Sequence, residues 1–580
     1  MVERQDCSST TPFLHTRQPG IIRTKPRGDT VFTLGINWKW HDPCAALVMD
    51  GQVLAMAEEE RFTRQKHARN SYPVNAARYC LDLAGIHWRD LDVLTVGWDI
   101  PAVVHWTDNT RRELLCALFG DDAATSPLPV EFVQHHVAHA ASAFYASGFD
   151  SAGVLVVDGS GERQSISIFR MDRQQHGPHL LRSWPTSYSI GAMYEAATTT
   201  LGFSTLECGK TMGLAPYSPG RHSEVFPLGD LLPGTSRPLA ALQDNMAYVE
   251  LLHRWEEYFG RTFTSITKDR DQLCDDQIAT MLAASAQRTV EEVYRQLYTD
   301  AVCLSGEQNL CVAGGVALNS VANGRLPEPV FIPPWPHDAG VALGAAWIVT
   351  PPAHGRVEHS PYLGPEPGPV PSSAELASRN LVISDFTPPD VAQLLLAGGI
   401  GALATGRAEV GPRALGNRSI IALPRPTEMA KVVNSLKGRE PWRPLAPAAL
   451  PHYADRLWAR QPARERYMVG NTATSGLGRE LLPAATHMDG STRPQVVDKS
   501  LAPALAGILA ELEAGGLPPI LINTSFNGPG EPIVNSAADA LNCFSRQSLD
   551  FMVLGDALVT HRSSAREVRP YQVQPNHAFG

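Results

Sequence analysis

Two groups of residues in this sequence have the types and spacing that chemistry at a metal ion or a phosphate requires. The first contains His135 and His139, four positions apart in QHHVAHA (134–140). On a helix, that spacing puts both imidazoles on one face, within reach of one ion. Asp158 ends an apolar run, VLVVD, and Asp338 precedes another, AGVALGAAW. Two histidines and two aspartates suit Fe²⁺ or Mn²⁺ better than structural zinc, whereas the histidine pair alone is equally typical of a surface or core pair.

The second group lies in the C-terminal half, around EVGPRALGNRS (409–419) and LKGREPWRPLAP (436–447). Its lysines and arginines alternate with glycine and proline, which predicts that they lie in turns. Side chains near such turns can converge on one anion, and guanidinium groups suit phosphate. A solvated basic face is the alternative, but apolar residues flank the segment. The polar run NTSFN (523–527) also lies among apolar residues and needs partners. The candidate phosphate-binding residues of this half are Arg413, Arg418, Lys437, Arg439, Arg443, Arg493, Ser525 and Asn527.

Glycine-rich turns follow two apolar runs of the N-terminal half, in DGSG (158–161) and AGG (313–315). Glycine lets backbone N–H groups approach a phosphate or an adenosine closely. Such turns are common, but the order of these two, each after a predicted strand, favours a nucleotide. A lysine between glycines, in GKTMG (209–213), suits a phosphate or a solvated loop. The candidate nucleotide-binding residues are Gly159, Gly161, Lys210, Gly314, Gly315 and Asn319.

Three further residues are candidates for catalysis. His41 and Asp42 are adjacent in the first predicted hairpin, where the histidine could act as a general base on a hydroxyl; a capping or turn role fits as well. Lys66, in EEERFTRQKH (58–67), is a third candidate, although a solvated charge is the simpler interpretation.

The pattern around these residues predicts an α/β protein. Two apolar runs flank Asp50-Gly51 and predict a hairpin, 73–85 has helical spacing, and 276–304 predicts a long amphipathic helix. Two such hairpin openings, each followed by helices, are the layout of an actin-like two-lobed fold. The predicted organisation is an extension over 1–30, a first domain over 31–350, a proline-rich linker over 351–373 and a mixed α/β domain over 374–580.

Composition limits the classes of function. A chain of 580 residues with 43% hydrophobic and 19% charged residues predicts a soluble globular protein of two to four domains. The net charge of −10 gives no basic field for a nucleic acid. The nine cysteines include no CxxC pair and are interpreted as buried thiols. The sequence has no signal peptide and no long apolar run, so we expect no membrane contact and a cytoplasmic location.

Taken together, the motifs resemble those of the O-carbamoyltransferases of the NodU/CmcH/TobZ type, over residues 31–565. The matching segments, in the family's order, are HDPCAAL, EEERFTRQKH, HHVAHA, VVDGSGE, GKTMGLAPY, AGGVALN, HDAGVALGAA, EVGPRALGNRS and WRPLAP. The resemblance implies an N-terminal Kae1-like domain, which is actin-like, and a C-terminal YrdC-like domain.

The resemblance also implies a two-step reaction. The YrdC-like domain would form carbamoyl-adenylate from carbamoyl phosphate and ATP, which is bound with Mg²⁺. The Kae1-like domain would then transfer the carbamoyl group to a hydroxyl of a secondary metabolite. The implied Fe²⁺ ligands are His135, His139, Asp158 and Asp338. Of the other candidates, His41 and Lys66 would face the acceptor and the transferred group, and Arg418 would support the phosphate site.

Some features depart from the family pattern or leave alternatives open. Pro43 replaces a small residue, and Trp38 and Trp40 precede it, which predicts a bulky, partly apolar acceptor such as a macrolide, ansamycin, aminoglycoside or cephem. The alternatives are a tRNA threonylcarbamoylation-type enzyme, an actin-like nucleotide-binding scaffold and a kinase. A homodimer is left open.

Overall fold

The N-terminal part of the chain is built on two five-stranded sheets in the computed structural model, which describes residues 30–175, 177–218, 223–226, 228, 231, 246–353, 360–458 and 463–562. The strands of the first sheet are β1 (Phe32–Asn37), β2 (Cys44–Met49), β3 (Gln52–Glu58), β4 (Val93–Val96) and β5 (Val130–Phe132). Those of the second are β6 (Ser151–Val157), β7 (Gln164–Asp172), β8 (His179–Pro185), β9 (Leu310–Ala313) and β10 (Val330–Phe331).

The two sheets repeat one topology. Their orders are β3-β2-β1-β4-β5 and β8-β7-β6-β9-β10. In each, the first three strands are antiparallel neighbours and the last two are parallel to the central strand and to each other. This is the duplicated actin-like arrangement, although the sequence carries no repeat. The predicted hairpin at Asp50-Gly51 is confirmed between β2 and β3, where both residues have positive φ.

Helices connect and cover these sheets. Those of this part are α1 (Glu60–Thr63), α2 (Val74–Ala84), α3 (Ile100–Val103), α4 (Asp108–Phe119), α5 (His135–Ser147), α6 (Ile190–Thr200), α7 (Cys208–Leu214), α8 (Tyr248–Thr262), α9 (Gln277–Ser305), α10 (Ser320–Arg325) and α11 (Ala339–Val349). The predicted helices over 73–85 and 276–304 are confirmed as α2 and α9. Asp276 caps α9 by accepting the N–H groups of Ile278 and Ala279.

Helix α11 packs unusually closely against α5 and against β1. A Cβ at Gly344 of α11 would lie 1.8 Å from the carbonyl oxygen of Ala138 in α5, and a Cβ at Gly35 of β1 would lie 1.9 Å from that of Ala342. Only a residue without a side chain fits at either position. The small residues of HHVAHAASAF and AGVALGAA therefore bring the starts of the two helices together, and those starts carry three of the four candidate metal ligands.

The C-terminal part has a mixed eight-stranded sheet with the order β11-β20-β19-β12-β13-β18-β14-β17. Its strands are β11 (Leu381–Asp385), β12 (Gly401–Ala404), β13 (Arg418–Ala422), β14 (Ala446–Ala449), β17 (Gln495–Val496), β18 (Ile520–Ser525), β19 (Phe551–Leu554) and β20 (Ala557–His561), and β15 (Thr472–Ala473) pairs separately with β16 (Ser491–Thr492). The helices are α12 (Ser373–Ser378), α13 (Pro388–Leu396), α14 (Met429–Leu436), α15 (Pro451–Leu457), α16 (Gly476–Leu481), α17 (Pro503–Ala514) and α18 (Ala537–Gln547). The predicted fold class, an actin-like part followed by a mixed α/β part, is confirmed.

The described part of the proline-rich tract is packed rather than free. Leu363 belongs to an apolar core of the N-terminal part and Tyr362 to a core of the C-terminal part. The Leu363 carbonyl accepts the N–H of Met56, a residue of the edge strand β3. Residues 360–364 are thus a wedge between the two sheet systems, while the exact domain boundaries remain predictions.

Two observations bear on the expected environment. Among the described residues, no helix is both long enough and apolar enough to cross a membrane. The cysteines of the described part are free thiols; four are buried, but Cys303 is exposed, so burial was predicted too broadly.

The close packing of α5 and α11 gives a first testable prediction. Gly344→Ala should lower the free energy of unfolding by about 1–3 kcal/mol, because its Cβ meets backbone that must move. Gly260→Ala is the matched control, since a Cβ at Gly260 of α8 has no neighbour within 4 Å. It should raise stability by up to about 1 kcal/mol through helix propensity. Urea unfolding of both variants measures the difference, and equal stabilities would contradict the packing.

Candidate active site

Four buried side chains from three elements form the metal cluster, which we define as His135, His139, Asp158 and Asp338. His135 and His139 lie one turn apart at the start of α5, Asp158 follows β6, and Asp338 precedes α11. The Nε2 atoms of the two histidines are 3.1 Å apart. His135 Nε2 lies 3.1 Å from Asp158 Oδ2 and 3.5 Å from Asp338 Oδ1, and His139 Nε2 lies 3.6 Å from each of the same atoms.

Neighbouring groups orient His135. Its Nδ1 donates to the carbonyl of Gly97 at 3.1 Å, which leaves Nε2 with a free lone pair toward the cluster. The ring of Trp98 stacks on the imidazole with centroids 3.8 Å apart, and the Trp98 Nε1 donates to Asn37 Oδ1 at 3.1 Å. Trp98 belongs to no motif in the sequence, so sequence reasoning missed it.

The donors of the metal cluster fit a divalent transition metal. One ligand atom from each of the four residues can be chosen so that all lie within 4.8 Å of one another. Loss of hydration would raise the pKa of Asp158, but contacts with His135 and His139 outweigh it and hold that pKa well below its usual range. Ionised carboxylates beside imidazole nitrogens form a mixed oxygen and nitrogen donor set that suits Fe²⁺ or Mn²⁺.

His41 and Asp42 lie directly beside the metal cluster. His41 Nδ1 is 3.1 Å from Asp42 Oδ2 and 3.8 Å from Asp338 Oδ2. The other oxygen of Asp42 is 2.8 Å from the Nδ1 of His67, a partner that sequence reasoning missed although it ends the motif EEERFTRQKH. Lys66 is exposed and lies toward the C-terminal part, because its charge helps to lower the pKa of Lys437.

The glycine turns converge on Asp158. Gly315 donates its N–H to Asp158 Oδ1 at 2.8 Å, and Gly314 has a φ of +97° with a virtual Cβ 2.2 Å from the carbonyl oxygen of Val157. Gly159 lies against Gly191, where a Cβ would meet the Gly159 Cα at 2.9 Å. The Gly314 N–H donates to the carbonyl of Pro336 at 2.8 Å, so the amides of Gly314 and Gly315 are both engaged, and these turns contribute close backbone approach around Asp158 instead of free N–H groups.

The other candidates for nucleotide binding are placed differently. Asn319 caps α10 and exchanges two hydrogen bonds with Gln287, and Gly161 closes a tight turn by donating to the carbonyl of Gln164. Lys210 lies at the boundary with the C-terminal part, where its Nζ is 3.0 Å from Glu207 and 3.1 Å from Glu440. Its partner thus comes from a segment 230 residues away, which no local pattern could indicate.

Two polar residues beside Gly159 were not predicted. The Tyr248 hydroxyl donates to Glu195 Oε2, and a Cβ at Gly159 would lie 3.3 Å from that hydroxyl. Glu195 lies within α6, and Tyr248 begins α8 after a stretch without any motif. No motif or periodicity in the sequence could have found them.

In the C-terminal part, Arg413, Arg439, Arg443 and Arg493 form what we call the cation cluster. Loss of hydration lowers the pKa of Arg493 well below its usual range, and the charges of the other three lower it further. Loss of hydration and the charge of Arg443 lower the pKa of Arg413 to about 10, and that of Arg439 falls to about 9. The guanidinium groups therefore repel one another in a poorly hydrated space.

The cation cluster contains buried N–H donors that no described residue accepts. Within the described ranges, the Nε atoms of Arg413 and Arg493 and one terminal nitrogen of Arg439 are buried without a hydrogen-bond partner. Arg443 lies 3.7 Å from Glu440, which also faces Lys210. Repelling cations with unpaired donors are stabilised by a bound anion, and guanidinium groups suit phosphate oxygens.

Lys437, Ser525 and Asn527 form a second polar group nearby. The Lys437 Nζ donates to the carbonyl of Ser525 and, at 2.9 Å, to Asn527 Oδ1, which also accepts the Ser525 hydroxyl at 2.7 Å. Loss of hydration, followed by the charges of Arg439 and Arg443, lowers the pKa of Lys437 well below its usual range. The structure therefore brings these three predicted residues together beside the cation cluster.

Arg418 is placed differently from the other predicted phosphate ligands. It is fully buried at the start of β13, and all three guanidinium nitrogens donate to backbone carbonyls. The acceptors are Thr405, Gly406, Asn417, Pro365 and Asn535. With its nitrogens already engaged, Arg418 fixes the backbone of these segments instead of facing an anion.

The comparison with known families decides the identity. The family model described as carbamoyltransferase N-terminus matches residues 33–108 and 108–347, and the model described as carbamoyltransferase C-terminus matches 392–561. The chain belongs to the carbamoyltransferase family. This confirms the resemblance that the sequence motifs indicated.

Relatives of this carbamoyltransferase match it over most of its length. Nodulation protein NolNO of Sinorhizobium fredii is 32% identical over 569 residues, which cover 91% of this chain and 80% of that protein. Nodulation protein U of Bradyrhizobium diazoefficiens is 27% identical, with 86% of this chain and 93% of that protein covered. The T. kodakarensis HypF structure matches 55% of this carbamoyltransferase and 47% of that chain at 13% identity, with a TM-score of 0.32.

The metal cluster makes a direct prediction about metal binding. His139→Ala and Asp158→Asn should each weaken binding of Co²⁺, a spectroscopic probe, by about 100-fold or more, because each removes a ligand. His136→Asn is the control, since His136 is buried on the same helix but its Nδ1 lies 2.8 Å from the Ser167 hydroxyl. Titration followed by visible absorbance measures the affinities. Unchanged binding in His139→Ala would contradict the assignment.

Removing one arginine from the cation cluster is predicted to preserve or increase thermal stability. In phosphate-free buffer, Arg493→Met should leave the melting temperature unchanged or raise it, because it relieves repulsion between guanidinium groups. Saturating inorganic phosphate should stabilise the unsubstituted protein, by about 2.7 kcal/mol at 100 times Kd. Most of that gain should disappear in Arg493→Met and persist in Arg425→Met, which removes an exposed arginine bound to the Glu480 carbonyl. Equal gains in all three proteins would show that phosphate binds elsewhere.

Proposed function

We propose that this carbamoyltransferase is an ATP-dependent O-carbamoyltransferase that works in two steps at two sites. At the cation cluster, carbamoyl phosphate and Mg²⁺-bound ATP yield carbamoyl-adenylate. Beside the metal cluster, the carbamoyl group passes to a hydroxyl of a secondary metabolite. Family membership supports carbamoyl transfer, and the opposite charges of the two clusters support the division of the reaction.

The unpaired guanidinium donors of the cation cluster are the observation that carries the first step. Water takes the phosphoryl group of carbamoyl phosphate, which leaves carbamate and inorganic phosphate. A carbamate oxygen then attacks the α-phosphorus of ATP, and pyrophosphate departs with the electrons of the broken P–O bond. The four arginines hold the phosphate oxygens, and Lys437, fixed by Ser525 and Asn527, adds an N–H donor where charge develops.

In the second step, the acceptor hydroxyl attacks the carbamoyl carbon and AMP leaves with the electrons of the broken C–O bond. We assign His41 as the base that takes the hydroxyl proton on Nε2, since its Nδ1 is held by Asp42. Loss of hydration would lower the pKa of His41, but the charges of Asp338 and Asp42 outweigh it and raise that pKa to about 9, so this role requires that a metal bound by Asp338 offset its charge.

The adenylate packs against the glycine turns at Gly159, Gly314 and Gly315, which permit close backbone approach, while the N–H groups of Gly314 and Gly315 donate to Pro336 and Asp158. A divalent metal, which we propose to be Fe²⁺ on this donor set, would supply Lewis-acid polarisation of the carbamoyl oxygen when bound by the metal cluster.

Charged residues lie on the boundary between the two sites. Lys210 pairs with Glu440 across that boundary, and Lys66 acts electrostatically on Lys437. The Lys210–Glu440 pair, which joins the two parts of the chain, supports passage of the anionic carbamoyl-adenylate across this boundary from one site to the other. Lys66 then faces the transferred group during passage, and exclusion of water would protect the adenylate from hydrolysis.

The aromatic residues near His41 favour an acceptor with an apolar ring face. Trp40 is 37% exposed, and its ring centroid lies 4.2 Å from that of Trp98, which stacks on His135. Trp38, which was also predicted to border the acceptor, is instead buried against Tyr72. A macrolide, an ansamycin, a cephem or an aminoglycoside remains the proposed class. The net charge of −10 disfavours tRNA as acceptor.

The test separates the two steps by their products. Incubation with ATP, Mg²⁺ and carbamoyl phosphate should give AMP and pyrophosphate, and a hydroxylated natural product should gain the mass of one carbamoyl group. Arg493→Met should lose carbamoyl phosphate-dependent exchange of pyrophosphate into ATP by about 100-fold. His139→Ala should keep exchange and lose transfer, because it leaves the cation cluster intact. Mass spectrometry follows the acceptor, and formation of ADP would favour a kinase and contradict the proposal.

A further inference from the structure

A buried acid–base pair lies where the two halves of the chain meet, and the proposed reaction does not use it. Glu58 ends β3 and Arg61 lies in α1, and each is only 3% exposed. The Arg61 Nη2 donates to Glu58 Oε2 at 2.8 Å, and its Nε donates to the same oxygen at 3.2 Å. Keeping two charged groups out of water costs free energy. The contacts of the pair with other segments show which parts of the chain it connects.

On one side, the pair holds the backbone of Gly411, the residue that begins the loop to Arg413. The Gly411 N–H donates to Glu58 Oε2 at 3.2 Å, and the Gly411 carbonyl accepts Arg61 Nη2 at 2.7 Å. Gly411 has a φ of +100°, and a Cβ there would lie 2.3 Å from the carbonyl oxygen of Pro334. The loop that carries a candidate phosphate ligand is therefore pressed against the segment 334–338.

On the other side, Glu58 faces the turn of the metal cluster. Its second oxygen, Oε1, lies 3.5 Å from the Nε2 of His337, the neighbour of Asp338 in the chain. The two oxygens of one carboxylate thus contact the two halves separately: Oε1 meets the turn with a candidate metal ligand, and Oε2 meets the loop with a candidate phosphate ligand.

We propose that Glu58 and Arg61 are positioning residues that fix the metal cluster and the cation cluster relative to each other. The proposal rests on the proposed function for the roles of the two clusters. It predicts that one substitution at this joint weakens ligand binding at both, although Glu58 and Arg61 belong to neither.

Arg64 offers a matched control on the same helical segment. It also reaches the C-terminal part, where it donates to the carbonyls of Pro532 and Ile533 at 2.8 and 2.7 Å and lies 3.4 Å from Asp539. Among the contacts of the described residues, none joins Arg64 to Gly411 or to 334–338. Arg64 therefore separates attachment of the two halves from positioning of the two clusters.

The experiment measures binding at both clusters with simple probes. Glu58→Gln, Arg61→Lys and the control Arg64→Lys are titrated with Co²⁺ by visible absorbance and with inorganic phosphate by calorimetry. Glu58→Gln and Arg61→Lys should each weaken Co²⁺ and phosphate binding by roughly tenfold or more, the size expected for partners that orient ligands. Arg64→Lys should change either affinity by no more than about twofold.

Three results would overturn the proposal: loss at one cluster only, loss at neither, or an equal loss in Arg64→Lys. If a single variant fails to fold, Glu58→Gln/Arg61→Gln replaces it, because it removes both charges of the pair together. Pyrophosphate exchange by the unsubstituted protein is measured in parallel. If the unsubstituted protein binds both probes but shows no exchange, the proposed function is contradicted. The positioning proposal is then judged by the titrations alone.

Discussion

The N-terminal half depends on one contact, in which two imidazole nitrogens lie 3.1 Å apart with two ionised carboxylates beside them and almost no water. Such a group is stable only if several elements deliver their side chains to one point. The start of α5, the end of β6 and the turn before α11 do so, and the glycine contacts of α11 with α5 and β1 permit the approach. The helix packing and the chemistry are therefore one requirement.

The cation cluster poses the opposite electrostatic problem, and the fold solves it by separation. A carboxylate for every arginine would neutralise the cluster and compete with phosphate, whereas the ion pairs of the described residues place one, Glu440, 3.7 Å from Arg443, and Lys210 shares it. The acidic metal cluster lies on one sheet system and the arginines on another, with Lys210 and Glu440 paired on the boundary. This arrangement lets one chain hold sites of opposite charge without either being neutralised by the other.

Features with a local cause could be predicted from the sequence. The spacing of His135 and His139 needs only a helix, and the position of Asp158 needs only the end of an apolar strand. The long amphipathic helix α9 and the first hairpin follow from periodicity and turn residues in the same way. Resemblance to a family added the order of the motifs, which the family models then matched.

Features that depend on distant partners could not be predicted. Arg418 has the same glycine-punctuated surroundings as Arg413, yet the carbonyl of its neighbour Asn417 and four carbonyls from other segments enclose it. Trp38 and Trp40 are two positions apart, but only packing against Tyr72 decides that the first is buried. Neither the Lys210–Glu440 pair nor the joint at Gly411 produces a periodic pattern in the sequence, because each joins segments hundreds of residues apart.

The wedge at 360–364 has a consequence for how the chain can be divided. Strand β3 is the outer strand of its sheet, and Leu363 accepts the Met56 N–H while Arg407 donates to the Leu54 carbonyl. These contacts, supplied by residues after position 350, occupy hydrogen-bonding groups that an open edge offers to a second molecule. An N-terminal fragment produced alone would keep both of its sheets but expose this edge, and self-association through β3 would compete with folding.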